Sequence, residues 1–118
     1  RLIESSVMDI LETIKEQIES NTILIYMKGS PDQPQCGFSA QTTQILKACG
    51  ERFAFIDILA NPDIRANLPQ YSNWPTFPQL FVEGELVGGC DIVTELYENG
   101  ELEPMVKQAA KRAEQADT

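Results

Sequence analysis

Apolar positions along this chain recur with two different periods, and the switches between them mark out the elements. Ile10, Leu11, Ile14 and Ile18 form a stripe at helical spacing, which predicts a helix over Asp9–Ser20. Thr22–Met27 is a continuous apolar run rich in branched and aromatic residues, as in a strand covered on both faces. Lys28–Gln35 holds Gly29, Pro31 and Pro34 and reads as a loop. Helical spacing returns over Gly37–Ala48 and is stopped by Gly50. Arg52–Ile58 reads as a second strand. Asn61-Pro62-Asp63 then starts a helix, with Asn as cap, Pro at the first helical position and an acid in the first turn; that helix is predicted to end near Pro69. Phe77–Val82 and Glu85–Val87 are the remaining strands, with Glu83-Gly84 at hairpin-turn spacing between them. Gly88-Gly89 leads into a helix over Asp91–Glu98, closed by Asn99-Gly100. A last helix over Glu101–Ala113 tolerates Pro104 in its first turn.

The resulting order is α-β-α-β-α-β-β-α-α. A strand–helix–strand unit demands a parallel pair, and the later hairpin demands an antiparallel one. A single mixed four-stranded sheet with helices on both faces meets both demands, so the fold class is α/β. Residues 8–113 form the expected domain, and residues 114–118 a fraying tail. The chain starts on Arg1, and Met8-Asp9 is a natural start; residues 1–7 are set apart as an added segment or the end of a longer leader.

Composition narrows the chemistry. The 118 residues suit one domain, and a net charge of −9 disfavours nucleic acid and anionic lipid as partners. The longest apolar runs are too short to span a bilayer. Histidine is absent, which removes imidazole bases, Cys–His dyads and Ser–His–Asp triads. Three cysteines with no Cys-x-x-Cys pair argue against a disulfide scaffold and for a reducing, cytoplasmic setting.

Cys36 follows a strand and a Pro-containing loop and opens a helix. Unpaired N–H groups and the helix dipole there favour a thiolate, the form that attacks disulfides and binds soft metals. Burial as a small apolar residue is the competing fate of a free cysteine, and a junction flanked by Gln35 and Gly37 argues for exposure instead. Ser39 lies one turn on, where a second cysteine would make an internal disulfide possible, so the motif has no resolving thiol. Trp74-Pro75-Thr76-Phe77-Pro78 brings two prolines to a strand entry. A cis bond at Pro78 would leave the Phe77 backbone open to an extended peptide, whereas a trans bond would make Pro78 an ordinary edge proline. Gly88-Gly89-Cys90-Asp91 allows close approach of a ligand to backbone at a helix start, or is simply a turn and an N-cap.

Together these segments resemble the CGFS-type monothiol glutaredoxins, in the short single-domain bacterial form. Cys36-Gly37-Phe38-Ser39, Lys28 before the loop, Trp74-Pro75-Thr76-Phe77-Pro78 and Gly88-Gly89-Cys90-Asp91 carry the resemblance, which runs from about Met8 to Ala110. It implies a thioredoxin fold with Pro78 cis and a glutathione site. Lys28 and Arg65 would take the glycine carboxylate and the Phe77 backbone the cysteinyl unit. The N–H groups of Cys90 and Asp91 would take the γ-glutamyl carboxylate, with the Asp91 side chain on the ammonium. Solvated surface charge is the competing fate of Lys28 and Arg65.

A 2Fe–2S cluster needs four ligands, and one chain with three scattered cysteines and no histidine does not supply them. Two chains giving Cys36 each, plus two glutathione thiolates, do. The resemblance thus implies a homodimer when cluster-loaded, pairing with BolA-like proteins, and iron–sulfur client proteins that receive the cluster. Its alternative is a glutathione-dependent thiol–disulfide oxidoreductase with Cys36 as nucleophile and at most weak activity. Cys49 is expected to be a buried helix-end residue, and Cys90 either packing or a slow partner of Cys36 under oxidation.

Overall fold

The computed structural model describes residues 2–116; Arg1 and residues 117–118 of the expected tail lie outside the described residues. The elements follow the order read from the pattern: α1 (Leu2–Ser20), β1 (Ile23–Met27), α2 (Gly37–Cys49), β2 (Ala54–Asp57), α3 (Pro62–Ser72), β3 (Gln79–Val82), β4 (Glu85–Gly88), α4 (Cys90–Glu98) and α5 (Leu102–Ala116). The sheet order is β2-β1-β3-β4. β1 runs parallel to β2, pairing Leu24 with Ala54, and antiparallel to β3, pairing Leu24 with Phe81. β3 and β4 form the antiparallel hairpin. This is the thioredoxin fold, a mixed sheet with helices on both faces.

β1 is buried along its whole length, and its side chains alternate between two cores. Ile23, Ile25 and Met27 join Leu80 and Val82 beneath α2, α4 and α5, where Leu46, Val93 and Val106 close the layer. Leu24 and Tyr26 join Phe81 beneath α1 and α3, against Ile14, Ile18, Ile64 and Leu68. Tyr26 meets Phe81 edge to face at 5.8 Å and gives its hydroxyl proton to Gln17 Oε1 at 2.8 Å. Burial pushes its phenol well above the usual tyrosine range.

Several boundaries differ from the sequence expectation; β2, expected over Arg52–Ile58, spans only Ala54–Asp57. α1 begins at Leu2, ahead of the apolar stripe that predicted a start at Asp9. α3 continues through Pro69 to Ser72 and ends where Asn73 turns left-handed, at φ 57°. A proline in mid-helix removes one N–H, but Leu68 beside it is fully buried, and that packing holds the helix. β3 begins at Gln79, two residues later than expected, because Pro78 has no N–H to give the ladder. α5 runs three residues past Ala113. At α3, Asn61 holds the N-cap position without a side-chain cap bond; its amide donates instead to the Asp57 carbonyl at 2.8 Å.

Candidate functional site

β1 and β3 place the loop after one and the turn before the other at the same end of the sheet. α2 begins beside them. Cys36 is the N-cap of α2, in extended backbone at φ −152° and ψ 138°. Its thiol is partly exposed and free. The Ser39 N–H is the main influence holding its pKa below the ordinary cysteine value, with help from the Phe38 N–H, the Lys28 charge and the Ser39 hydroxyl; partial burial opposes them. Ser39 itself is fully buried, and its Oγ accepts the Lys28 N–H at 3.2 Å. One hydroxyl therefore links the thiol to the backbone that carries Lys28.

The other two cysteines differ. Cys49 is buried at the end of α2, and burial, with Glu103 and Glu51 adding to it, pushes its thiol up. Cys90 is the first residue of α4 and buried. Its sulfur lies 3.9 Å from Thr94 Oγ1, which in turn accepts from Gln41 Nε2 at 2.9 Å.

Cys36 opens onto a groove of about 750 Å³. Lys28, Arg65, Phe77, Cys90 and Asp91, the residues singled out in the sequence, all line it. Lys28 comes from the loop after β1 and Arg65 from the first turns of α3. Phe77 precedes the β3 ladder, so its backbone takes part in no strand pairing. The Phe77–Pro78 bond is cis, and β3 is an inner strand, so Pro78 is not an edge proline. Gly89 rather than Asp91 is the N-cap of α4; Asp91 is the exposed second helical residue. Helix geometry leaves the first N–H groups of α4 without partners inside the helix.

Phe38, Trp74 and Thr76 also line the groove and were not singled out as site residues. Phe38 is 61% exposed beside Cys36, where a helix stripe would not predict an aromatic ring. Trp74 stands against Gly89: a Cβ there would come within 3.3 Å of the indole nitrogen and 3.2 Å of the Pro78 carbonyl oxygen. The signal for Trp74 was its place in the proline-flanked turn, which Gln79 ties together by donating to the Trp74 and Thr76 carbonyls at 2.9 and 3.1 Å.

A thiol favoured toward its thiolate at one wall, two cations on the lining and a carboxylate beside a helix start make the groove bipolar. It suits a small zwitterionic, thiol-bearing or disulfide-bearing molecule. A family model described as Glutaredoxin matches residues 23–87. Glutaredoxin 4 of Escherichia coli (strain K12) is 66% identical over 102 residues, covering 86% of this chain and 89% of that one.

The chain belongs to the glutaredoxin family.

This glutaredoxin is similar to reduced apo GrxS14 from poplar, with a TM-score of 0.72 at 46% identity over 83% of this chain and 90% of that one. It is also similar to a buckwheat glutaredoxin solved as a glutathione complex, with a TM-score of 0.79 at 26% identity over 90% of this chain and 94% of that one. With Ser39 at the position of a second motif cysteine, this glutaredoxin is of the monothiol kind. Among its described residues no group of three or more His, Cys, Asp or Glu is placed to hold a metal ion, and no helix is long and apolar enough to cross a membrane.

Proposed function

We propose that this glutaredoxin binds glutathione in the Cys36 groove and, as a homodimer, carries a 2Fe–2S cluster to client proteins. The observation that carries this reading is the inequality of the three thiols: Cys36 is open and favoured as thiolate, while Cys49 and Cys90 are buried. Each chain thus offers one accessible soft ligand, and a four-ligand cluster needs thiolates from elsewhere. Bound glutathione would supply a second thiolate beside Cys36.

The residues present fit that tripeptide. Lys28 and Arg65 lie on the groove wall and match its glycine carboxylate. The unpaired Phe77 backbone matches its extended cysteinyl unit, as an added strand would. The first N–H groups of α4 and the Asp91 carboxylate match its γ-glutamyl carboxylate and ammonium. That a buckwheat neighbour was solved as a glutathione complex supports glutathione as the ligand. Two such thiolate pairs complete the cluster's ligand set, with half of the ligands exchangeable, as suits a carrier. Pairing with BolA-like proteins and a cytoplasmic location, where free thiols persist, belong to the same reading.

The lowered Cys36 pKa also favours a second reading, thiol–disulfide exchange with glutathionylated proteins. The Cys36 thiolate would attack the glutathionyl sulfur, forming a Cys36–glutathione mixed disulfide and releasing the protein thiolate; a second glutathione thiolate would then attack that mixed disulfide, forming glutathione disulfide and releasing the Cys36 thiolate. Anaerobic incubation with iron, sulfide and glutathione tests the carrier reading. A coloured dimer is expected, lost without glutathione or in Cys36→Ser. A colourless monomer in the complete mixture, with turnover of a glutathionylated substrate, would favour the exchange reading.

A further inference from the structure

Asp57 is the last residue of β2 and does not line the groove. Its Oδ1 accepts two backbone N–H groups, from Gly29 at 2.9 Å and from Leu59 at 2.8 Å. Its carbonyl accepts the Asn61 side-chain amide at 2.8 Å. The contacts at Gly29 and at Asn61 each lead to a groove cation. Gly29 follows Lys28, whose own N–H is held by Ser39 and whose carbonyl accepts the Gln35 N–H at 2.9 Å. Asn61 caps α3, and its carbonyl accepts the Arg65 N–H at 3.1 Å. Gly29 is what lets its amide turn toward the carboxylate: its φ is +86°, and a Cβ would lie 2.5 Å from the Gln33 carbonyl oxygen.

We infer that Asp57 is a positioning residue that fixes Lys28 and Arg65 in one frame, and so sets how tightly the groove holds a carboxylate ligand. The inference rests on the proposed glutathione site. Two cations on separate elements act on one carboxylate only if their spacing is held, and mobile long side chains lose that advantage to conformational entropy. The Asp57 carboxylate ties the loop of one cation, through Gly29, to the start of the turn that leads to the other, through Leu59; its backbone carbonyl, which any residue would supply, holds Asn61. The Cys36 thiolate is favoured mainly by N–H groups of α2, with the Lys28 charge a lesser influence. Loss of Asp57 is therefore expected to weaken ligand binding and to leave the thiol nearly unchanged.

Glutathione affinity of the full chain, by calorimetry, is the measurement. Asp57→Ala is expected to bind about tenfold more weakly, whereas Asp57→Asn, which keeps an acceptor oxygen, stays within about twofold of the parent. The Cys36 alkylation midpoint is expected to move less in both than it does in Lys28→Ala, because N–H groups of α2 are the main influence on the thiol. A folded Asp57→Ala that binds like the parent overturns the inference, as does an Asp57→Asn that binds as weakly as Asp57→Ala. If Asp57→Ala does not fold, amide NMR of the parent decides. The Gly29 and Leu59 signals, which share one acceptor, must move in step during a glutathione titration, and unmoved signals overturn it. A parent that does not bind glutathione, with Lys28→Ala and Arg65→Ala indistinguishable from it, would instead remove the glutathione site itself.

Discussion

At the scale of single residues, the chemistry rests on Cys36 being ionised. Its pKa is lowered chiefly by the Ser39 N–H, so the folded chain carries a thiolate at a pH where an ordinary cysteine keeps its proton. The rate of alkylation by iodoacetamide, followed against pH, is expected to rise with a midpoint below that of free cysteine. Lys28→Ala is expected to move that midpoint upward, since the Lys28 charge favours the thiolate. The same shift gives stability a pH dependence of known sign. The unfolded thiol titrates at the higher pKa, so the native state's advantage is complete above that value and is lost as pH falls through the folded one. Ser39→Ala would leave the Lys28 N–H, held at 3.2 Å, without its acceptor. That loss is expected to cost about 1–3 kcal/mol in urea denaturation and to raise the thiol midpoint as well.

At the scale of elements, the loop between β1 and α2 is a built structure rather than slack chain. Gly29 and Pro34 form an isolated bridge, and Ser30 and Gln33 exchange backbone hydrogen bonds at 3.1 and 3.3 Å. Lys47, from the last turn of α2, closes it by donating to the Pro31 carbonyl and the Asp32 carboxylate, both at 3.2 Å. That ion pair is exposed and contributes little by itself. The backbone geometry contributes more. Gly29 and Gly50 have nearly the same φ, 86° and 84°, but a Cβ at Gly29 meets backbone whereas one at Gly50 meets open space. Gly50→Ala is therefore expected to cost about 1–2 kcal/mol from the left-handed conformation alone. Gly29→Ala is expected to cost clearly more and to weaken glutathione binding, which Gly50→Ala leaves intact. Paired denaturation and calorimetry on the two variants check this.

At the scale of the whole molecule, two cores share one sheet. Leu24 faces the α1–α3 side and Leu80 the α2–α4–α5 side, and both are fully buried. Either residue changed to Ala is expected to cost about 2–5 kcal/mol. Because β1 and β3 contribute to both cores, each variant is expected to melt in a single transition in which far-UV and near-UV signals coincide. The pair Glu83–Arg112 lies at the opposite end of the sheet from Cys36, joining the β3–β4 turn to α5. Arg112 holds the Glu83 carboxyl below its usual range. Arg112→Ala is expected to leave glutathione affinity and the Cys36 midpoint at parent values.

Much of this protein was already legible in its amino-acid order. The switch from helical to extended spacing around Asn21 and Thr22, the breaks at Gly50 and Asn61-Pro62, and the Glu83-Gly84 turn are local signals, so every element could be named in order. The parallel and antiparallel pairings followed, because chain connectivity permits few sheets. The Cys36 and Ser39 pair was equally local, one helical turn apart. Contacts between distant segments were not legible, because no short-range pattern encodes them. Packing of Leu68 carried α3 through Pro69 against the local rule, and the Asn61 side chain went to Asp57 rather than to its own helix. The walls supplied by Phe38 and Trp74, and the carboxylate of Asp57 reaching back to Gly29, exist only once the sheet brings three loops to one end. Residue order thus decided which groups are available, while the fold decided which of them meet, since distances across the groove depend on packing that no single segment contains.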